Sequence, residues 1–183
     1  MSNIKTDTRY LALDAMLAAM VAVLGYVSLD FTSIKITFES VPILIGSLLF
    51  GPLHGAAIGL VGTLIYQLLR YGVSATTALW ILPYVLCGLL VGTYAKAHRY
   101  TLSRAQVLFI VVLAELMVTL LNTGVIYVDS KLYGYYTPAL ITGSLALRLV
   151  ICVVKALAYS FALPPLLQAV RRRSVIGQDG GKE

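Results

Sequence analysis

The sequence predicts an all-α integral membrane protein, a bundle of six transmembrane helices with a short strand-like outer loop after the first helix. Of its 183 residues, 59% are hydrophobic and only 12% are charged, and the mean hydropathy is +0.87. Soluble domains carry about 25% charged residues, so a soluble fold of this length would lack the polar residues to cover its surface. Apolar segments long enough to cross about 30 Å of hydrocarbon recur along the chain.

Glycine, proline or polar residues separate the six apolar segments. The predicted spans are 9–29, 40–53, 55–71, 77–96, 104–128 and 138–171. The second and third are short, and the sequence Gly51-Pro52-Leu53-His54-Gly55 between them predicts a break, because Gly and Pro end helices and start them. We interpret residues 1–173 as one membrane domain and 174–183 as a short polar cytoplasmic tail that is disordered.

Basic residues predict the orientation of the bundle. With a cytoplasmic N-terminus, the inner segments contain Lys5, Arg9, Lys96, His98, Arg99, Arg104, Arg171, Arg172 and Arg173, and the outer segments contain only Lys35, Arg70 and Lys131. Cytoplasmic loops are enriched in Lys and Arg, so both termini are predicted to be cytoplasmic. Cations at the edges of apolar segments suit lipid headgroups, and the net charge of +6 therefore does not indicate nucleic-acid binding.

The sequence lacks the motifs of common catalytic and nucleotide-binding sites. It contains no GxxxxGK[ST], HExxH or GxSxG motif, and its two histidines, His54 and His98, are far apart. Cys87 and Cys152 lie inside apolar runs without metal-ligand spacing, which is typical of small packing residues. We therefore predict no enzymatic activity, no metal site and no cofactor.

The segment after the first span carries the first candidate binding residues. Residues 34–39 alternate between apolar and polar side chains, which is typical of a short strand with one buried face. Such a strand would lie across the outer mouth of the bundle and turn Lys35, Thr37 and Glu39 to one side. A solvated linker would show the same pattern, and the two interpretations have equal weight.

The loop between spans three and four, with Trp80 just beyond it, carries the second group. Arg70 offers a planar guanidinium that matches a carboxylate, and Tyr71 and Trp80 offer faces on which a ring can stack. An interfacial belt also collects arginine and aromatic residues, and it is the simpler explanation for Tyr71 alone. All three are candidate substrate-binding residues.

Polar residues inside the spans form the third group. A charged side chain at the centre of a membrane helix costs at least about 2.5–3.5 kcal/mol, so such residues usually face a partner or a cavity. Glu115 and Lys155 lie deep in spans five and six, and we favour an internal ion pair between them. Asn122 and Arg148 lie nearer the outer face, and we predict that they contact a ligand.

Small residues recur in the first span. Ala12, Ala15, Ala19 and Ala22 are three or four residues apart and line one helix face, with Ala18 beside them. Small side chains let another helix approach closely. That helix belongs either to this chain or to another subunit.

Three sequence stretches carry a resemblance to a known family. Residues 15–19 read AMLAA and fit an AxxxA motif, residues 35–42 read KITFESVP, and residues 49–55 read LFGPLHG. With the length and the six spans, these stretches resemble the substrate-binding S component of energy-coupling factor (ECF) vitamin transporters, most closely its folate-type branch. LFGPxxG is the most specific of the three.

The resemblance implies a function that the residues alone do not show. S components bind a vitamin at their outer face and associate with a transmembrane coupling subunit and two ATPases, in the cell membrane of a prokaryote. Ala15 and Ala19 would then lie on the surface that meets the coupling subunit, and the S component would tip over to carry its site inward. The absence of a nucleotide-binding motif agrees with this division of labour.

The sequence departs from the folate-type pattern at the end of span three, where Gln67 and Arg70 stand in a region that is often acidic and rich in Pro and Gly. A basic, aromatic mouth suits folate, and it would also suit another anionic or heteroaromatic molecule, such as pantothenate or a queuosine precursor.

Other hypotheses are a self-sufficient proton-coupled carrier that uses Glu115 or Asp14, a scaffold without a ligand and, last, a small membrane enzyme.

Overall fold

Six α-helices and one short β-hairpin make up the computed structural model, which describes residues 4–31 and 34–179, with side chains over 8–28, 37–142 and 145–167. The elements are α1 (Ile4–Tyr26), β1 (Leu29–Phe31), β2 (Ile34–Ile36), α2 (Ser40–Phe50), α3 (Pro52–Tyr71), α4 (Thr77–Ala97), α5 (Arg104–Leu132) and α6 (Pro138–Asp179). The predicted all-α membrane bundle is confirmed.

Within the described residues, five of the six helices are long and apolar enough to cross a membrane. The exception is α2, whose 11 residues rise about 16 Å at 1.5 Å per residue, about half of a 30 Å hydrocarbon core. It begins near Gly25 of α1, where Glu39 lies, and ends where the Phe50 ring contacts Tyr10. The predicted second span is therefore a half-length helix that still returns the chain toward the N-terminal half of α1.

The break between α2 and α3 lies where the Gly-Pro pair predicts it. Gly51 has φ +103°, a conformation that a side chain disfavours, and Pro52 follows at the first position of α3, where its missing N–H leaves no partner unsatisfied. A Cβ at Gly51 would also lie 2.6 Å from the Tyr100 hydroxyl. The chain can therefore reverse direction here within one residue.

The strand-like segment after α1 is one arm of an antiparallel hairpin, in which Leu29 is opposite Ile36 and Phe31 is opposite Ile34. The strand is shorter than the alternating pattern predicts, because β2 ends at Ile36. Glu39 already has helical backbone angles at the start of α2.

Helices α3 and α4 approach each other through glycines spaced four residues apart on each helix, Gly55 and Gly59 on α3, and Gly88 and Gly92 on α4. A Cβ at Gly88 would lie 2.3 Å from the carbonyl carbon of Gly55, and one at Gly59 would lie 2.7 Å from the Tyr84 carbonyl oxygen. Small residues at this spacing let membrane helices pack backbone against backbone.

The alanines of α1 differ in exposure. Ala18 and Ala22 are buried, and a Cβ at Gly62 of α3 would lie 2.7 Å from the Ala18 carbonyl oxygen, so this part of α1 packs inside the chain. Ala15 and Ala19 are exposed. By its spacing Ala22 shares a helix face with Ala15 and Ala19, but the packing of the chain itself covers Ala22 and leaves the other two exposed.

Helix α6 continues beyond the predicted end of the sixth span at 171. Its candidate span is Pro138–Leu167, and helical backbone extends to Asp179, six residues into the segment that the sequence predicts as a polar tail. Residues 180–183 lie outside the described part of the chain.

We expect Gly88→Ala to destabilise the protein by about 1–3 kcal/mol, because the added methyl group meets the backbone of α3, which cannot rotate away. Thermal unfolding in detergent measures the effect. The matched control is Gly124→Ala on α5, where a Cβ meets nothing within 4 Å and alanine favours the helix. Equal melting temperatures for the two variants would contradict the close α3–α4 contact.

Candidate functional site

A cavity of about 470 Å³ opens at the end of the bundle that carries the hairpin. Its walls come from the segment between β2 and α2, from α3, α4, α5 and α6, and from the loops that join α3 to α4 and α5 to α6. The lining residues are Thr37, Glu39, Tyr66, Gln67, Tyr71, Ser74, Thr76, Trp80, Tyr84, Glu115, Val118, Thr119, Asn122, Ile126, Asp129, Tyr133, Tyr135, Arg148, Ile151, Cys152 and Lys155. The volume is within the range of small-molecule sites.

The cavity is elongated along α5. Asp129 and Glu115 both line it and are 14 residues apart, which corresponds to about 21 Å of helix. We call the residues near the loops the rim and the deepest residues the floor. The rim comprises Ser74, Thr76, Asp129, Tyr133 and Tyr135, and the floor comprises Glu115, Cys152 and Lys155.

Asp129 joins the elements of the rim. One carboxylate oxygen accepts a hydrogen bond from the Thr76 hydroxyl, and the other accepts one from the Tyr135 hydroxyl. The Ala75 amide donates to the Tyr133 hydroxyl oxygen at 3.3 Å. These bonds hold the α3–α4 loop against the end of α5, across the mouth of the cavity.

The Tyr135 hydroxyl in the loop after α5 has an altered pKa. Partial burial is the largest cause, followed by the hydrogen bond to Asp129 and the charge of that carboxylate, and together they raise the pKa to about 12. A pKa that is higher in the folded than in the unfolded state stabilises the fold below the unfolded value, which is about 10 for tyrosine. The contribution of this contact is therefore complete below about pH 10 and is lost as the pH rises toward 12.

Glu39 lies between the rim and the floor and is 3% exposed. Its Oε1 accepts hydrogen bonds from the Thr37 hydroxyl at 2.9 Å and from the Tyr84 hydroxyl. The Asn122 amide in turn donates to the Tyr84 oxygen at 3.4 Å. The Asn122 Oδ1 is buried and accepts no hydrogen bond from the described residues, so it is available to a donor on a ligand.

At the floor, the predicted ion pair is confirmed, because Lys155 Nζ lies 3.0 Å from Glu115 Oε2. Arg148 is on the same face of α6, two helical turns nearer the rim, and lines the cavity. Among the described residues, no carboxylate forms an ion pair with it. The charge of Lys155 is thus balanced inside the protein, whereas that of Arg148 is available to an anion.

The structure brings six of the eight predicted substrate-binding residues together around the cavity, namely Thr37, Glu39, Tyr71, Trp80, Asn122 and Arg148. Arg70 is not among the lining residues. Its guanidinium donates to the Tyr26 carbonyl oxygen and to the Ser28 hydroxyl, both at 2.9 Å, and so joins α3 to the end of α1. The Lys35 backbone lies in β2, and its side chain is outside the described part of the structure.

Several lining residues were missed by sequence reasoning, among them Tyr84 and Asp129. The sequence does contain a periodic signal that could have placed both residues in the cavity wall. Tyr84 is four residues after Trp80, and Glu115, Asn122 and Asp129 follow one another at intervals of seven residues. Residues at these spacings share a helix face. Tyr133 and Tyr135 carry no such signal, since they lie in a loop.

Of the two cysteines, both free, Cys152 lines the cavity and Cys87 lies in the hydrophobic core.

Comparisons with known proteins identify a family and a fold. Residues 9–167 match the family model described as ECF transporter, substrate-specific component. No curated protein sequence matches the chain significantly.

Solved structures share the fold at low sequence identity. The S component of a bacterial ECF transporter is 20% identical with a TM-score of 0.66, covering 90% of this chain and 98% of that one. FolT bound with folic acid is 23% identical with a TM-score of 0.64, covering 84% and 90%. The S component for biotin from an ECF-type ABC transporter is 16% identical with a TM-score of 0.67, covering 94% and 95%.

We expect Tyr135→Phe to loosen the rim, because Asp129 then loses one of its two donors. Faster amide hydrogen exchange in the loop 72–76 at neutral pH would report the opening. Tyr136→Phe is the matched control, since the Tyr136 ring packs on Tyr127 and is not part of the cavity lining. The same exchange rate in the wild type and in Tyr135→Phe would show that Asp129 does not hold the loop through this contact.

Proposed function

This chain belongs to the family of ECF transporter substrate-specific components, and we propose that its cavity binds folate or a related anionic heteroaromatic vitamin. It is a multi-pass protein of the cell membrane. As an S component it is a transport subunit and not an enzyme, and it works with a transmembrane coupling subunit and ATPase subunits. We also propose which residues bind this vitamin and how the chain is oriented in the membrane.

The observation that carries the proposal is Arg148, a cation without a carboxylate partner among the described residues, in the wall of a deep cavity. A charge inside a membrane bundle is costly unless a partner compensates it. A ligand that brings a carboxylate supplies that partner, and a guanidinium binds a carboxylate through two parallel hydrogen bonds. The cavity is therefore suited to an anionic ligand.

The aromatic residues of the cavity support a ligand that contains flat rings. Tyr66, Tyr71, Trp80 and Tyr84 line its walls, and the rings of Tyr66 and Tyr71 meet edge to face at 5.9 Å. Aromatic side chains stack on rings and bury large apolar areas. Pantothenate has a carboxylate but no ring, so the aromatic lining favours folate or another molecule with a flat heteroaromatic ring, such as a queuosine precursor.

We place both termini in the cytoplasm and the cavity at the outer face. The distribution of Lys and Arg supports this orientation, and the N-terminus of α1 lies at the end of the bundle opposite the hairpin and the cavity rim. The cavity would then receive the vitamin from outside the cell. Ala15 and Ala19, on the exposed face of α1, would meet the coupling subunit.

The structure offers less support for a self-sufficient proton-coupled carrier. Such a carrier needs a carboxylate that can bind and release protons during transport, and both candidates have cationic or potentially cationic partners. Glu115 pairs with Lys155 at 3.0 Å, and Asp14 lies 2.6 Å from Nδ1 of His54. We therefore retain the S-component function as the one to test.

Binding can be followed through the single tryptophan, Trp80, because it lines the cavity. We expect folic acid to quench its fluorescence saturably in the purified chain, without any partner subunit. Pantothenate, biotin and a queuosine precursor complete the panel and would reveal a different cargo. The absence of saturable binding across the panel would overturn the proposed function.

Two arginine variants test the anchor within the same experiment. We expect Arg148→Gln to weaken folic acid binding by at least about tenfold, the effect of a lost charge-assisted hydrogen bond. Arg70→Gln is the matched control and should bind folic acid nearly as the wild type does, because Arg70 does not line the cavity. A larger loss in Arg70→Gln than in Arg148→Gln would contradict this assignment.

We expect the double variant Ala15→Leu/Ala19→Leu to bind the vitamin normally and to lose uptake, because bulky side chains keep another helix from approaching α1. Uptake by cells that contain the complete transporter and fluorescence titration of the isolated chain measure the two properties. Ala158→Leu, at an exposed alanine on α6, is the control. Loss of binding in the α1 variant would argue against an interface there.

A further inference from the structure

The Glu115–Lys155 pair lies at the floor of the cavity, and both residues line it. The two side chains differ in accessibility, with Lys155 15% exposed and Glu115 1% exposed. The ammonium is therefore the member of the pair that a ligand meets first, and the carboxylate lies beside it. Because the pair lies in the cavity wall, a bound ligand can contact it.

The pair has hydrogen-bonding capacity that the protein leaves unused. An ammonium has three donors, and Lys155 Nζ lies 3.0 Å from Glu115 Oε2 as an ion pair and 5.7 Å from the centre of the Tyr159 ring. Both carboxylate oxygens of Glu115 are buried, and neither accepts a hydrogen bond from the described part of the chain. Buried polar atoms without partners are uncommon and call for an explanation.

A donor and an acceptor therefore lie side by side at the deepest point of the cavity. We propose that this pair is a recognition subsite for the lactam edge of a heteroaromatic ring. In that arrangement the ring carbonyl accepts from Lys155, and the adjacent ring N–H donates to Glu115. The inference rests on the proposed function and specifies the class of ring that the cavity accepts.

The position of Arg148 adds a second point of recognition. Arg148 and Lys155 are seven residues apart, or about 10 Å along the helix, and Ile151 and Cys152 line the wall between them. A ligand that occupies both points carries its anionic group about that far from its lactam edge. The cavity thus selects elongated anions that end in a lactam ring over short anions of the same charge.

Folic acid and its 4-amino analogue, aminopterin, separate this subsite from general binding. The exchange of the 4-oxo group for an amino group turns the ring acceptor into a donor and the neighbouring ring N–H into an acceptor, while the rest of the molecule is unchanged. A site that pairs with one hydrogen-bonding pattern rejects the reverse pattern. We expect the wild type to bind folic acid at least about tenfold more tightly than aminopterin, since each mismatched charged hydrogen bond is costly.

The test variant is the double substitution Glu115→Gln/Lys155→Met, because removal of only one partner would leave a lone buried charge and destabilise the fold. The methionine has no donor, and the glutamine amide can turn to pair with either pattern. We expect the ratio of the two affinities to fall toward one in this variant, with its melting temperature in detergent as the check on folding. Arg148→Gln is the control and should weaken both compounds alike, leaving the ratio as in the wild type.

The outcomes distinguish the two proposals. Tight folic acid binding with a ratio near one in the wild type, or a ratio that the double variant leaves unchanged, overturns the lactam subsite and leaves the proposed function in place. A double variant that does not fold shows that the pair is required for structure, and a wild-type ratio near one would then still refute the subsite. A wild type that binds neither compound overturns both the folate assignment and this inference.

Discussion

An uncompensated charge inside a membrane bundle is costly, and the polar architecture of this protein follows from that constraint. Glu115 and Lys155 balance each other's charge, Asp14 lies against His54, and Glu39 accepts hydrogen bonds from two hydroxyl groups. Arg148 differs from these residues because its compensation does not come from the described residues. The constraint that pairs the other charges with each other thus leaves Arg148 as the residue that we propose an anionic ligand compensates.

The distribution of side-chain size determines where the cavity can form. Glycines on α3 and α4 bring the two backbones into contact over the halves of these helices nearest the Gly51–Pro52 turn. Toward the other end, the side chains of Tyr66 and Tyr84 line the cavity. Close packing at one end of the helix pair makes the site rigid, and large aromatic side chains at the other end give it walls.

Helix α1 connects the cavity with the exposed alanine face. A Cβ at Gly25 would lie 2.8 Å from Glu39 Oε2 and 2.9 Å from the Tyr66 ring, and both of these residues line the cavity. Ala19 and Ala15 lie six and ten residues before Gly25, about two and three helical turns away, and both are exposed on the same helix. Helix α1 therefore packs against two residues that line the cavity and also carries the surface that we propose meets the coupling subunit.

The sequence by itself determined the membrane environment, the six helices, the break at Gly51 and Pro52, and the inward position of Glu115, Asn122 and Arg148. These features depend on local properties, namely hydropathy, helix period and the backbone preferences of Gly and Pro. Only the tertiary structure separated Arg70 from Arg148, because the sequence offers both as arginines of the outer half of the bundle that could bind a carboxylate. The difference is that α1 lies close enough to accept the hydrogen bonds of Arg70, whereas Arg148 lines a cavity. Likewise, only the structure shows that Asp129 accepts hydrogen bonds from Thr76 and Tyr135 at the rim. The packing of helices and loops brings these partners together, and no local sequence pattern specifies them.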